Sequence, residues 1–377
     1  QTRRQHFRGR IWHVVQDPVN NSFFRLHPSA YRFLAMLDGR RTVAEAWQAC
    51  NSALGDEAMT QSEAVGVLGQ LYGANLIQAE LPPDAAGLFR RHRKRRGREV
   101  RAWLTNFLFA RIPLLDPDRL LGWLDAVLGW LFSPVGLVLW LGLIATGAYV
   151  AAGAWSELAG RTQQLLRTGR LIDLPALYGA LVLTKIVHEL SHGLACKRFG
   201  RSVRGGGEVH AMGVMLLIFA PLPYVDASSA WALRSKLHRC IVGAAGMMAE
   251  LALAAVAAVA WVWTAASAEP WQQVLHGTAF YVMFISSITT IVFNANPLLR
   301  FDGYYILSDL LEIPNLSERS RQYVQYLVKR YAFGAAGAMN PAQAGERAWL
   351  IGYGLGSTVF KLFICANILL LLGQRFF

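Results

Sequence analysis

The chain changes character along its length. Its first 80 or so residues mix polar and apolar positions as a soluble domain does, whereas from about residue 133 long apolar runs alternate with polar connections. A helix needs about 20 mostly apolar residues to cross a bilayer. Five runs meet that length: about Pro134–Trp155, Leu174–Phe199, Ile241–Ala265, Val274–Phe293 and Leu350–Leu372. The stretch from Ser156 to Asp173 reads as a polar connection, and residues 312–347 as a polar cytoplasmic segment. The glycine-rich run Gly205–Gly213 predicts a hairpin or sheet at the membrane face. Val214–Phe219, stopped by Pro221 and Pro223, is too short to span and predicts a re-entrant, membrane-embedded segment.

The N-terminal part is patterned differently. Ile11–Val15 and Ser22–Leu26 flank Asp17-Pro18-Val19-Asn20-Asn21, which predicts a β-hairpin. A helix follows near Ser29–Leu37 and is stopped by Asp38-Gly39. Thr42, with Glu45 three residues on, forms the capping-box pattern for a helix through Cys50. A third helix is expected near Thr60–Tyr72, and Leu76-Ile77-Gln78 as a short strand. The expected fold is thus mainly α: a polytopic membrane helix bundle of about five spans plus a re-entrant segment, preceded by a small α+β winged-helix-like domain. The domains are expected at 1–82, at 83–132 as a basic linker with interfacial amphipathic helices, and at 133–377.

Composition agrees with a membrane reading, since 54% of the 377 residues are hydrophobic and 16% charged. The net charge of +13 would suit nucleic acid, but the basic residues lie beside apolar runs. Residues 89–101 alone hold eight Lys or Arg. Cytoplasmic loops and anionic headgroups explain such placement without nucleic acid. Lys197, Arg198, Arg201 and Arg204 put the end of the second run on the cytoplasmic side. Nothing ahead of the first run resembles a cleavable signal peptide. The expectation is a cytosolic N-terminus and an extracytoplasmic C-terminus. Cys50, Cys196, Cys240 and Cys365 are far apart and form no C-x-x-C, so neither a disulfide framework nor a zinc ribbon is indicated.

The chemistry concentrates in His188-Glu189-Leu190-Ser191-His192, inside the second apolar run. Imidazoles four apart on a helix share one face and reach one metal ion, and the adjacent Glu189 is placed to take a proton from a water on that ion. Ionisable groups are costly within a membrane helix, which favours a functional reason for three in five positions. Two histidines leave a catalytic zinc one protein ligand short. Asp302, in Asn294-Ala295-Asn296-Pro297-Leu298-Leu299-Arg300-Phe301-Asp302-Gly303, is the candidate third, since it follows the fourth run on the same side. Glu250, within the third run, is a further site candidate or else a buried partner for Arg or His. His210 and Asp226 read as groups supporting the site or as loop residues.

H-E-x-x-H on one membrane helix, followed by N-x-x-P-x-x-x-[LF]-D-G on a later one, resembles the site-2 protease family of intramembrane zinc metalloproteases. The resemblance covers about residues 133–372. It implies zinc held by His188, His192 and Asp302, with Glu189 as general base and Asn294 as a hydrogen-bond donor to substrate or oxyanion. Two departures stand out: Glu250 occupies a position where the family often has an amide, and no PDZ-like insert is visible. Residues 10–80, with W-x-V-x-x-D-P, F-x-R-L and Y-R-F-L-x-x-L-D-G-x-x-T-V, resemble the small peptide chaperone of pyrroloquinoline quinone biosynthesis, where a precursor peptide adds to the hairpin edge. Together these imply a protease of the bacterial cytoplasmic membrane that cleaves a bacteriocin-like or modified ribosomal peptide in connection with its maturation or export. The expected partners are a peptide substrate on the N-terminal domain, the bilayer, and a transporter or periplasmic adaptor. The alternative is a non-proteolytic scaffold or adaptor subunit of a peptide secretion or efflux system, with a structural zinc site.

Overall fold

Residues 2–7, 10–17, 22–55, 58–73, 77, 111–168, 173–201, 203, 207–217, 220–266, 269–334, 340, 342, 343 and 345–376 are described in a computed structural model. They divide into two compact units: one drawn from Gln1–Leu114, Val203–Gly206 and Gly213–Leu222, the other from Leu115–Ser202, Gly207–Met212 and Pro223–Phe377.

The first unit begins with an antiparallel sheet of β1 (Thr2–Phe7), β2 (Arg10–Asp17) and β3 (Ser22–Leu26), in that order. Thr2 stands opposite Val15, and His13 opposite Leu26. Helices α1 (Pro28–Met36), α2 (Val43–Leu54) and α3 (Gln61–Gly73) follow. Val15 and Leu26 from the sheet close a core with Phe33, Ala46, Cys50, Ala64 and Leu71 from the helices. The capping box at Thr42 is formed in full. The Glu45 N–H donates to Thr42 Oγ1 (3.2 Å), and the Thr42 N–H donates to Glu45 Oε2 (2.8 Å). Thr60 and Glu63 repeat the arrangement ahead of α3. The expected hairpin is therefore β2–β3, and β1 is an addition to it. Its sequence, Thr-Arg-Arg-Gln-His-Phe, lacks the alternation that marks a strand.

A second sheet joins β4 (Arg111–Leu115), β5 (Met212–Leu217) and β6 (Ala220–Val225), again in that order. Arg111-Ile112-Pro113, which reads in the sequence as a break between interfacial helices, lies in strand β4, with Pro113 accommodated because β4 is an edge. Of the run Val214–Phe219, expected to re-enter the membrane, Val214–Leu217 forms part of β5, beside β6 in the sheet. Gly213 makes the pairing possible, because a β-carbon there would run into Ile112 O. The basic block 89–101 lies outside the described residues, as does the segment Leu76–Gln78 apart from Ile77.

The second unit is helical. It comprises α4 (Asp118–Leu128), α5 (Pro134–Gly153), α6 (Trp155–Thr168), α7 (Leu174–Gly200), α8 (Lys236–Trp263), α9 (Pro270–Ile288), α10 (Asp302–Leu311), α11 (Leu316–Leu327) and α12 (Arg347–Phe376). A π-helical turn, Thr289–Asn294, extends α9. Among the described residues, four helices are long and apolar enough to cross a membrane: Pro134–Gly153, Lys236–Trp263, Pro270–Asn294 and Arg347–Leu370. The histidine-bearing α7 has the length, 27 residues. Lys185, His188, Glu189 and His192 keep its composition short of that standard.

Helix α8 is central to this unit, packing against α5, α7, α9 and α10. Its small residues let neighbours close in, as small residues do between membrane helices. A β-carbon on Gly147 of α5 would fall 2.6 Å from Ala255 Cα of α8. Nearby, the Trp140 indole N–H donates to Met248 O (2.8 Å). The stretch Ser156–Asp173, expected as a plain connection, contains α6. Leu158 and Leu165, seven apart on one face, pack into the cluster of Ala180, Trp261 and Phe280, and the Arg161 guanidinium lies 5.0 Å over the Phe280 ring.

Candidate metal centre

Helix α7 buries Ala180, Thr184, His188, His192 and Cys196, a stripe of positions four apart. Both histidines thus lie on the face that packs against α8. Their Nε2 atoms are 3.0 Å apart. The outer nitrogens are engaged elsewhere. His192 Nδ1 donates to Val242 O (2.7 Å) on α8, and His188 Nδ1 lies 3.0 Å from Glu250 Oε1, off the hydrogen-bond axis but close enough to pair electrostatically. With protons on Nδ1, each Nε2 offers a lone pair. Two lone pairs cannot face each other at that distance unless a proton or a cation lies between them.

Asp302 supplies the third donor from the first turn of α10. Its Oδ2 is 3.1 Å from His188 Nε2 and 3.5 Å from His192 Nε2, yet it is buried and accepts no hydrogen bond. The carboxylate oxygen thus lies within reach of both nitrogens without accepting a hydrogen bond from either. A tetrahedral zinc with bonds of about 2.0–2.1 Å has ligand–ligand edges of about 3.4 Å. The three separations match one face of such a tetrahedron. The residues present fit a zinc ion in donor type, in the orphaned oxygen and in spacing.

Two glycines make room for this convergence. A β-carbon on Gly246 of α8 would fall 2.5 Å from His188 Cε1 and 2.6 Å from the Nε2 atoms of both histidines. One on Gly303 would meet Ala295 O at 2.6 Å and Asn294 O at 2.9 Å, so Asp302 reaches its place only because the next residue has no side chain.

Glu189, one position from His188 on the helix, is half-buried. Its Oε2 accepts the backbone N–H of Val225 (3.0 Å), at the end of β6. Asn294 is buried, and its amide donates to Glu250 Oε2 (3.1 Å). One of its two N–H donors is thus engaged by a neighbouring carboxylate. Glu250 is fully buried and also meets Lys185 Nζ (2.7 Å), Thr289 Oγ1 (3.2 Å) and Thr290 Oγ1. The π turn brings Thr289, Thr290 and Asn294 to bear on it together, a distortion often found beside functional groups.

His210 and Asp226 do not join the cluster. His210 Nδ1 pairs with Asp116 Oδ2 (3.0 Å) on the surface, and Asp226 Oδ1 accepts the Ser228 N–H (3.0 Å). Sequence reasoning missed Lys185, although a lysine three residues before His188 in an apolar run is a signal of the kind that singled out the histidines. Gly246 lies in the run Ala244–Glu250 that the family resemblance had singled out, but its closeness to the two imidazoles was not expected.

No protein-family model, no curated protein and no solved structure matches this chain.

Proposed function

We propose that the chain is a zinc metalloendopeptidase of the bacterial cytoplasmic membrane, of the site-2 protease type, acting on a peptide precursor. The observation that carries this reading is the convergence of His188 Nε2, His192 Nε2 and the orphaned Asp302 Oδ2, with a carboxylate, Glu189, next to the first ligand in sequence. Three protein ligands leave a tetrahedral ion one open position, the mark of a catalytic rather than a structural site. A site serving structure alone has no use for a base beside its ligand.

In this reading His188, His192 and Asp302 hold the ion. Zinc, when bound, supplies a Lewis acid that lowers the pKa of water toward neutrality. Glu189 takes the proton from the attacking water with one carboxylate oxygen while the Val225 N–H fixes the other. The same carboxyl then returns the proton to the departing amine. Asn294 holds Glu250 with one amide N–H and offers the other to the substrate backbone or the developing oxyanion. Helix α7 is the fifth span, and its polar face is turned onto α8 and away from lipid. The N-terminal unit, with its three-stranded sheet and three helices, binds the precursor and presents it from the cytosol. The precursor is a ribosomal peptide, cleaved during maturation or export.

The test pairs metal content with cleavage for wild type and Glu189→Gln, purified in detergent, against a candidate precursor peptide. One zinc per chain in both, with cleavage by wild type alone, supports the protease. Zinc in both and cleavage by neither, with peptide bound to residues 10–80, supports the scaffold or adaptor instead.

A further inference from the structure

We propose that Glu250 is the positioning residue of the metal centre, fixing the ring of His188 and strengthening it as a ligand. This rests on the zinc reading above. The carboxylate is 0% exposed and gathers five groups. Oε1 accepts a hydrogen bond from Lys185 Nζ at 2.7 Å and lies 3.0 Å from His188 Nδ1, an electrostatic contact. Oε2 receives Thr289 Oγ1 at 3.2 Å, Asn294 Nδ2 at 3.1 Å, and Thr290 Oγ1. A carboxylate offers about four lone-pair sites, so these contacts occupy it fully and leave it one orientation.

Stability does not explain the arrangement. A buried ion pair is commonly neutral or worse than apolar residues of the same volume. A carboxylate behind the distal nitrogen of a metal-binding imidazole does have a use: it fixes the tautomer and ring plane and makes the ligand more basic. Among the described residues, His192 has only the Val242 carbonyl in that place. The two imidazoles are therefore unequal, and His188 is the stronger donor. Lys185 balances the charge of Glu250, and the π turn of Thr289–Asn294 clamps its second oxygen.

The experiment uses the full chain in detergent. Zinc affinity is measured by competition with a chromophoric chelator, and ligand geometry by the d–d spectrum of the cobalt-substituted protein. Glu250→Ala is expected to weaken zinc binding about 10–100-fold and to shift the cobalt bands, while Glu250→Gln, which keeps an acceptor, falls between it and wild type. Glu346→Gln serves as control, since it alters a buried carboxylate bonded to Arg319 and not to the site. It should leave both readouts unchanged. If Glu250→Ala fails to fold, Glu250→Gln decides alone. Affinities within about twofold of wild type for the folded variants, or no zinc bound by wild type, overturn the proposal. Zinc binding that depends on Glu250, in a chain that cleaves no peptide, leaves this assignment standing and removes the protease.

Discussion

Gly246 faces His188 so closely that a single added carbon would stand 2.5 Å from the ring. The glycine belongs to α8 and the histidine to α7, so the proposed metal centre depends on how near these two helices come at one position. Gly246→Ala must push the imidazoles apart or tilt the helix. The expected result is zinc content near zero with the helical circular dichroism of wild type. A fully loaded Gly246→Ala protein would show that the rings move aside freely and that the cradle is unimportant.

Glu189→Gln keeps the size of the side chain and its acceptor for the Val225 N–H, and it loses only the ability to take a proton. General-base catalysis is typically worth about 10²–10⁴-fold. Cleavage should fall by that factor in kcat with zinc content unchanged. A loss of less than about tenfold would assign proton transfer to another group.

The His210–Asp116 pair gives a pH signature away from the membrane. The hydrogen bond to Asp116 raises His210 above its ordinary 6.5, with Asp118 and Glu208 adding to the effect. Asp116 is held below 3.8, first by the Asp118 N–H and then by His210. A raised histidine pKa stabilises the fold fully below pH 6.5 and ceases to as pH climbs through the raised value. The lowered carboxyl loses its share only as pH falls through its own depressed value. The melting difference between wild type and His210→Gln should therefore be largest below pH 6.5 and close as pH rises through the raised value. Both side chains are exposed, so the difference is small. A gap independent of pH would rule out the pair as its source.

In the N-terminal unit, Thr42→Ala removes one bond of the capping box and leaves Glu45 without its reciprocal partner. The expected cost is about 1 kcal/mol, read as a lower midpoint for that unit in denaturant. An unchanged midpoint would mean that α2 is held by its packing on Phe33 and Leu71 alone.

These sites differ in how openly the sequence announced them. The capping box and the i, i+4 histidines were legible because both depend on spacing within one helix. Asp302 was legible because a carboxylate before glycine at the end of an apolar run is a local pattern too. The partners of Glu250 were not, since Lys185, Thr290 and Asn294 come from two other helices and meet only through tertiary packing. Strand β1 and helix α6 escaped for another reason. The first is polar as far as Phe7, and the second has only Leu158 and Leu165 to mark its inner face. Arg111-Ile112-Pro113 was legible only as a break, because a proline that interrupts a helix is equally at home in an edge strand.

The Lys185–Glu250 contact also bears on how the chain is made. An isolated helix with a lysine near its middle partitions poorly into lipid, at about 2.5–3.5 kcal/mol for that residue alone. Helix α7 emerges from the ribosome well before α8, the element that carries its counter-charge. It should therefore wait at the translocon and enter the bilayer together with α8. A reporter fused after residue 210 would then show α7 inefficiently inserted, and one fused after residue 265 would show it inserted in full. Equal insertion from both fusions would mean that α7 needs no companion.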